Sequence, residues 1–163
     1  MRIALDEAEK AFKEGNYPVG AVLVIDEKII DSAHNKQITE RSRNAHAEYL
    51  LLHENSKIIR KKVRRGSSSK AELYSTLEPC LMCLGSAVFH RISRIIFACP
   101  DPRGGATYLN PEILSSWYVK NWPVIQGGLY DEPSYALICK FLKESAIPEH
   151  KNILRDFENM KKS

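Results

Sequence analysis

Two stretches, Asn44-Ala45-His46-Ala47-Glu48 and Glu78-Pro79-Cys80-Leu81-Met82-Cys83, decide how the rest of this chain is interpreted. Together they supply one imidazole, one carboxylate and two thiols. A catalytic zinc site needs three protein ligands, an open fourth position and an acid/base group beside the metal. The sequence therefore predicts a catalytic Zn²⁺ centre built from these two stretches.

The first stretch opens a predicted helix over residues 45–55, with Asn44 as its N-cap and Leu50 and Leu51 facing the core. His46 and Glu48 are two residues apart, so within a helix they would point to different sides. Both reach one metal only if they lie in the first turn, with the site just beyond the helix end. We therefore expect the metal at a helix N-terminus.

The second stretch predicts another helix, opening at Pro79, which suits the first helical position. Cys80 and Cys83 are three residues apart and would share one face of its first turn. The positive end of the helix dipole lowers thiol pKa values there and favours the thiolates that zinc requires. Two helix N-termini are therefore expected to meet at one ion.

Working outward, the apolar patterns predict alternating helices and strands. We predict strands over residues 20–25, 29–33, 71–76, 92–98 and 122–126, and helices from residue 4 to Gly15 and over 111–118, 133–143 and 153–160. This alternation indicates an α/β fold, a three-layer α/β/α sandwich around a central mixed five-stranded sheet.

The size and composition fit one domain, expected to span residues 1–163 with a helical extension at 149–163. A hydrophobic content of 44% and a charged content of 27% are ordinary for a globular protein. Charged residues interrupt residues 1–14, so no signal peptide is predicted, and no stretch suits a membrane span. A cytoplasmic location is therefore expected.

Four cysteines without a secretory signal favour free thiols or metal ligands over disulfides. Cys99 and Cys139 lie in apolar surroundings and are expected to be small buried residues. The C-x-x-C pair alone is also compatible with a redox pair, or with a structural zinc site. That structural site would take its fourth ligand from Cys99, His34, His53 or His90. The presence of Glu48 favours the catalytic alternative.

The charge of the chain is unevenly distributed. Residues 57–70 hold seven basic residues and no acidic one, so the other residues carry a net −3 although the whole chain carries +4. We interpret this segment as a basic loop, and its clustered cations are candidate phosphate contacts: Lys61, Lys62, Arg64 and Arg65. A solvated surface insertion is the alternative, supported by its run of glycine and serine.

The ligand set also predicts the chemistry. Zinc with two thiolates and a neutral histidine acidifies water less than zinc with three histidines, so a carboxylate base is needed. Glu48 would take the proton of water, which attacks an amidine carbon, and return protons to the ring nitrogen and the departing ammonia. The order H-x-E and P-C-x-x-C is typical of zinc nucleobase deaminases.

These motifs, together with Pro18-Val19-Gly20-Ala21-Val22-Leu23-Val24, Asn35 and Arg91-Ile92, resemble the cytidine deaminase-like superfamily. Within it the chain most resembles the bacterial tRNA-specific adenosine deaminases. The resemblance implies that His46, Cys80 and Cys83 bind zinc, that Glu48 shuttles protons and that Asn35 contacts the base. It also implies a homodimer with active sites near the interface.

Three segments depart from the usual pattern of those enzymes, all outside the zinc motifs: Ser42-Arg43-Asn44-Ala45, residues 101–106 (DPRGGA) and residues 140–144 (KFLKE). The leading hypothesis is conversion of adenosine to inosine in tRNA. The alternative is a deaminase of a free base, nucleoside or mononucleotide of cytosine, guanine or dCMP type. A structural zinc-binding interaction domain is the hypothesis that involves no catalysis.

Overall fold

A computed structural model describes residues 1–64 and 66–162, and a mixed five-stranded sheet lies at its centre. The strands follow the order β2-β1-β3-β4-β5, with β1 antiparallel to both neighbours and β3, β4 and β5 parallel. Their bounds are Gly20–Ile25 (β1), Lys28–His34 (β2), Ala71–Leu77 (β3), Arg94–Cys99 (β4) and Val124–Gln126 (β5). The predicted sheet is confirmed.

Helices cover both faces of the sheet. They are α1 (Arg2–Lys13), α2 (Ala47–Glu54), α3 (Ser56–Lys62), α4 (Leu81–Phe89), α5 (Ser116–Asn121), α6 (Asp131–Glu144) and α7 (Glu149–Met160). Helix α1 packs on β1, β2 and α6, whereas α2 packs on β1, β2 and α4. The three-layer α/β/α sandwich is thus confirmed, with α7 packed outside α6.

The core forms because the central strands are apolar on both sides, as expected for strands covered by helices on both faces. Leu23, Leu73 and Ile95 are fully buried in neighbouring strands. Helix α1 lies directly on the start of β1, where a Cβ at Gly20 would stand 2.0 Å from the carbonyl oxygen of Ala4. Burial of this kind is the main source of stability in a chain of this length.

The parallel strands β3 and β4 end at the same edge of the sheet, where Leu77 pairs with Cys99. Helix α4 begins shortly after β3, and α2 begins at the same edge, because its first residues face the start of α4. Ligand sites in open α/β sheets lie beyond the carboxyl ends of the strands. The fold therefore places both predicted motifs at one edge.

Two helix boundaries differ from the predictions. Helix α2 begins at Ala47 with His46 as its N-cap, not Asn44, and Leu52 rather than Leu50 joins Leu51 in the core. Helix α4 begins at Leu81 rather than at Pro79, because the backbone of Cys80 forms a β-bridge with Gly105. In both cases a predicted ligand occupies the N-cap position.

The prediction of a basic loop over residues 57–70 is wrong for its first part. Helix α3 covers Ser56–Lys62, because Ile59 is 1% exposed and anchors one side of this segment in the core. Residues 111–118, predicted as one helix, form a 3₁₀ turn over Pro111–Ile113 followed by α5. Arg65 lies outside the described residues.

Cys99 and Cys139 are buried free thiols, as expected, at 0% and 6% exposure. Among the described residues, no helix combines the length and the apolar character needed to cross a membrane.

Candidate active site

Helix α2 presents His46 and Glu48 from its N-terminus. His46 is the N-cap with extended backbone angles (φ −76°, ψ 146°), while Glu48 lies in the first turn and is 3% exposed. Because His46 precedes the helical residues, its side chain is not bound to the helical spacing. This position explains how two residues at i and i+2 approach one point.

Cys80 and Cys83 approach the same point from the start of α4. Nδ1 of His46 lies 3.7 Å from Sγ of Cys80 and 3.6 Å from Sγ of Cys83. Zn–S distances of about 2.3 Å and Zn–N distances of about 2.0 to 2.1 Å in a tetrahedron place N and S roughly 3.6 Å apart. The three ligand atoms therefore fit one zinc ion.

The two thiols differ in their proton affinity. The interaction with Cys83, and after it that with His46, lowers the pKa of Cys80 to about 4, while burial opposes the shift. The pKa of Cys83 is raised, chiefly by that same interaction and by burial. The helix dipole predicts lowered pKa values for both thiols, and only Cys80 follows. A bound metal removes this difference, because a coordinating thiol is deprotonated outright.

Glu48 is held by two side chains in a buried position. The hydroxyl of Ser75 donates to Oε1 at 3.0 Å, and the thiol of Cys83 donates to Oε2 at 3.6 Å. Burial raises the pKa of the Glu48 carboxyl. A carboxylate with a raised pKa is suited to accept and return a proton near neutral pH.

Ser75 was not identified from the sequence. It lies in β3 and is 0% exposed, so its hydroxyl needs an internal hydrogen-bond partner. The sequence signal that could have identified Ser75 is its place as a polar residue near the end of an apolar strand, five residues before Cys80.

A cavity of about 430 Å³ opens beside the three ligand residues and Glu48. One side is polar, where Asn35 is 2% exposed and exchanges two hydrogen bonds with Gln37 at 3.0 and 3.1 Å. The other side is lined mostly by apolar residues: Val19, Leu77, Ile138, Leu142, Ile153 and Phe157. A ligand with a flat ring and polar edges suits this cavity, because the apolar residues can contact the face of the ring and the polar residues its edge.

The segment after β4 also lines the cavity, and Glu78 holds it in place. The buried Glu78 carboxylate accepts hydrogen bonds from the backbone of Asp101 at 3.1 Å and of Thr107 at 3.0 Å, and from the Thr107 hydroxyl at 2.6 Å. Arg103 and Gly104 reach the cavity from this segment. Glu78 belongs to the sequence motif, but no role was predicted for it.

Helix α7 closes one wall of the cavity through Ile153 and Phe157. A salt bridge of 3.1 Å joins Asp156 of this helix to Arg103. A further hydrogen bond of 2.8 Å joins the Tyr17 hydroxyl and Nε2 of His150. The sequence predicted a helix here but offered no reason to place it at the site.

The candidate phosphate contacts lie elsewhere. Lys61, Lys62 and Arg64 are absent from the lining of the catalytic cavity, and Lys61 and Arg64 line a separate groove instead. Arg65 belongs to the part of the chain that the structure leaves undescribed.

The candidate fourth ligands of a structural zinc site are occupied with other partners. His34 bonds to Glu7 at 2.8 Å, His53 stacks on Tyr49, His90 bonds to the carbonyl of Ser86 and Cys99 donates to the carbonyl of Pro100. Within residues 1–64 and 66–162, the metal-ligating group has three members. A zinc ion held by these three residues would keep a fourth position for water or substrate, as in catalytic zinc sites.

The fold and the site together define the class of a zinc-dependent enzyme with a buried carboxylate beside a three-ligand metal site. The family model described as the cytidine and deoxycytidylate deaminase zinc-binding region matches residues 1–99, more than half of the chain. The chain belongs to this family of zinc-dependent deaminases. It is therefore an enzyme with a zinc cofactor, and the hypothesis of a non-catalytic zinc domain is not supported.

Relatives in sequence and structure agree with this assignment. The tRNA-specific adenosine deaminase of Bacillus subtilis (strain 168) is 36% identical over 144 residues, which cover 88% of this chain and 87% of that protein. A solved structure from work on A-to-I editing by tRNA:A34 deaminases is 31% identical, with a TM-score of 0.69 and coverage of 84% and 96%.

A structure of guanine deaminase from Nitrosomonas europaea has the same TM-score of 0.69. It covers 86% of this chain and 81% of its own, but it is only 18% identical to this chain. That similarity concerns the fold alone.

Proposed function

We propose that this enzyme hydrolyses the exocyclic amine of adenosine in tRNA, yielding inosine and ammonia. The observation that carries the proposal is the similarity to tRNA-specific adenosine deaminases over most of both chains. The cavity supports it, because its size and its polar and apolar walls suit a single purine nucleoside. An enzyme acting on a polymer must take such a base out of its stack.

In this proposal His46, Cys80 and Cys83 hold the zinc ion, which when bound supplies the Lewis acidity that activates water. Glu48 accepts a proton from that water and delivers protons to the ring nitrogen and then to the departing amine. Ser75 orients the Glu48 carboxylate for both transfers. Water adds and ammonia leaves, so the reaction is balanced without another reactant.

Asn35 is proposed to orient the substrate nucleotide. Its amide lies at the polar side of the cavity and is kept in one orientation by Gln37. An amide fixed in this way offers one donor and one acceptor. The apolar wall formed by α6 and α7 would then pack against the face of the base.

The exposed surface of α4 supports the proposal of a homodimer. Leu81 and Phe89 are 64% and 65% exposed on one face of the helix, with Gly85 between them. The ring centroids of Phe89 and Trp117 lie 5.3 Å apart, which extends the apolar surface. Contiguous apolar surface of this kind marks association sites, and most homo-oligomers are two-fold dimers.

Replacement of Phe89 by Glu tests this dimer. Analytical ultracentrifugation of the wild type should give twice the chain mass, and Phe89→Glu should shift the protein towards monomer. Ile29→Glu is the matched control, because Ile29 is 57% exposed on β2, at the opposite edge of the sheet order from β5. A monomeric wild type contradicts the proposal.

The substrate is tested with a panel of tRNA, adenosine, cytosine, guanine, cytidine and dCMP. Ammonia release and inosine formation are expected on tRNA, with Glu48→Ala inactive. Turnover of a free base or nucleotide, with none on tRNA, would favour the alternative substrates and leave the deaminase chemistry intact. Action on tRNA also agrees with the expected cytoplasmic location.

A further inference from the structure

A second groove of about 930 Å³ lies between α3 and the C-terminal end of α4. Cations dominate it, and none of its lining residues is acidic. The cationic residues that line it are Lys57, Arg60, Lys61, Arg64 and Arg91. Among the described residues, none of these five takes part in an ion pair.

The spacing of these cations is unfavourable for the helix that carries most of them. Lys57 and Lys61 are four residues apart within α3, and like charges at this spacing destabilise a helix. The helix dipole favours the cations of the last turn, but Lys57 lies in the first turn, where a cation is unfavourable. A bound anion would offset this repulsion.

The end of α4 adds a fifth cation to the rim of the groove. Arg91 follows α4 and has a φ of 56°. A non-glycine residue in the left-handed region is uncommon, and here it directs a guanidinium towards the groove. Cations clustered on one face are typical of a nucleic-acid surface.

The groove is distant from the catalytic cavity. Cys80 precedes α4 and Phe89 ends it, and nine helical residues span about 13 Å. Strand β3 starts on the side of the groove and ends beside the zinc ligands, and seven strand residues span roughly 23 Å. A ligand that used both sites would have to be a polymer, not a single nucleotide.

We propose that this groove binds the phosphodiester backbone of the RNA substrate, away from the nucleotide that is deaminated. The inference rests on the proposed action on tRNA. Four cations from α3 and the residues after it, together with Arg91, neutralise successive phosphates. Lys61 and Arg64 are retained from the sequence-based set, whereas Lys62 does not line the groove.

The test compares two variants with the same change in charge. The groove variant carries Lys57→Gln, Arg60→Gln, Lys61→Gln and Arg64→Gln. The control variant carries Lys13→Gln, Lys28→Gln, Lys120→Gln and Lys151→Gln, all exposed cations outside the groove. Glutamine is a good helix former, so both variants should fold, which circular dichroism can verify.

Binding of a tRNA anticodon stem-loop is measured over a series of salt concentrations. The groove variant should bind about tenfold more weakly or worse, and its slope of log K against log salt should fall by about 0.7 to 0.9 for each phosphate that the variant no longer neutralises. The control variant should keep the wild-type slope. Arg91→Asn, which tolerates a positive φ, should reduce the slope by the amount expected for a single phosphate.

Equal slopes for the groove and control variants overturn the inference. A second outcome also overturns the inference. In that outcome inorganic phosphate displaces a fluorescent nucleotide from the groove, while the groove substitutions leave RNA binding unchanged. The groove would then be a site for small anions. Failure of the proposed function gives a different result. A wild type that binds RNA through the groove but deaminates no RNA contradicts only the proposed substrate. A wild type that deaminates tRNA, with a groove variant equal to the control, contradicts only the groove.

Discussion

The hydroxyl of Ser75 donates a 3.0 Å hydrogen bond to Oε1 of Glu48. Ser75 lies on β3 in the centre of the sheet, whereas Glu48 lies in the first turn of α2. The carboxylate is therefore oriented by a residue on a rigid strand, in addition to its own helix. Precise orientation of a proton-transfer group is a large part of its catalytic value.

Replacement of Ser75 by Ala should lower kcat with little change in zinc content. A hydrogen bond to a charged group contributes about 1.5 to 3 kcal/mol, which corresponds to a loss of roughly tenfold to a hundredfold. Steady-state kinetics and metal analysis check this expectation. Ser93→Ala is the control, because its hydroxyl bonds to the carbonyl of Ala71 at 2.8 Å, at the opposite end of β3. Unchanged kcat in Ser75→Ala would show that Glu48 is oriented without it.

Four cysteines offer an internal comparison for the zinc site. Cys80→Ala and Cys83→Ala should each lose the metal, as should His46→Ala, because each removes one of three protein ligands. Cys99→Ala and Cys139→Ala should retain about one zinc per chain, since both thiols are buried outside the ligand group. Metal analysis after dialysis against a weak chelator gives the answer. Zinc loss in Cys99→Ala would place that residue among the ligands.

Glu48→Ala should abolish turnover and leave the zinc content unchanged. The Glu48 carboxylate lies beside the ligand group but is not one of its members, so its removal takes away the proton acceptor alone. Metal analysis and ammonia release on the same preparation test both statements together. Loss of zinc from this variant would show that Glu48 is a ligand.

Glu78 is expected to stabilise the wall of the cavity. Glu78→Gln retains the shape but removes the charge and places an amide against the donors of Asp101 and Thr107. Buried hydrogen bonds to a charged group contribute about 1.5 to 3 kcal/mol, so the free energy of unfolding should fall by a similar amount. Urea denaturation measures it, with KM as a second readout of the displaced wall.

Glu72→Gln is the control for Glu78→Gln. Glu72 is partly exposed on β3, the strand that precedes Glu78, and is paired with Arg94 at 3.7 Å. Exposed ion pairs contribute little to stability, so this variant should unfold close to the wild type. An equal loss in both variants would mean that Glu78 has no special role.

The sequence was sufficient for the parts of the site that depend on short spacing. His46 with Glu48, and Cys80 with Cys83, are each close in sequence and lie at helix starts, so their convergence could be predicted, whereas the N-cap positions of His46 and Cys80 could not. The strands were equally clear, because apolar runs such as residues 20–25 are bounded by turns. Local patterns of this kind retain their meaning in the folded chain.

The contributions of Ser75, Glu78 and α7 depend on tertiary contacts, which a sequence pattern does not reveal. The hydrogen bond of Ser75 joins a strand to a helix 27 positions earlier in the chain. The interpretation of residues 57–62 as a loop failed for another reason: their charge concealed one buried side chain, Ile59, that anchors a helix.

His150 should make the stability of the chain depend on pH. It is 2% exposed, its Nε2 bonds to the Tyr17 hydroxyl, and its Nδ1 has no hydrogen-bond partner among the described residues. Burial lowers the pKa of His150 below its ordinary value, and only Glu149 acts in the opposite direction. The folded chain therefore resists protonation at this residue.

The sign of the effect follows from this lowered pKa. An unfolded histidine binds a proton at about pH 6.5. Below that value the unfolded chain binds more protons than the folded chain, so stability falls as the pH decreases towards the folded pKa. His150→Gln should flatten this decline below about pH 7.5, as measured by urea denaturation at several pH values. An unchanged decline in His150→Gln would show that His150 is not the group that makes stability depend on pH.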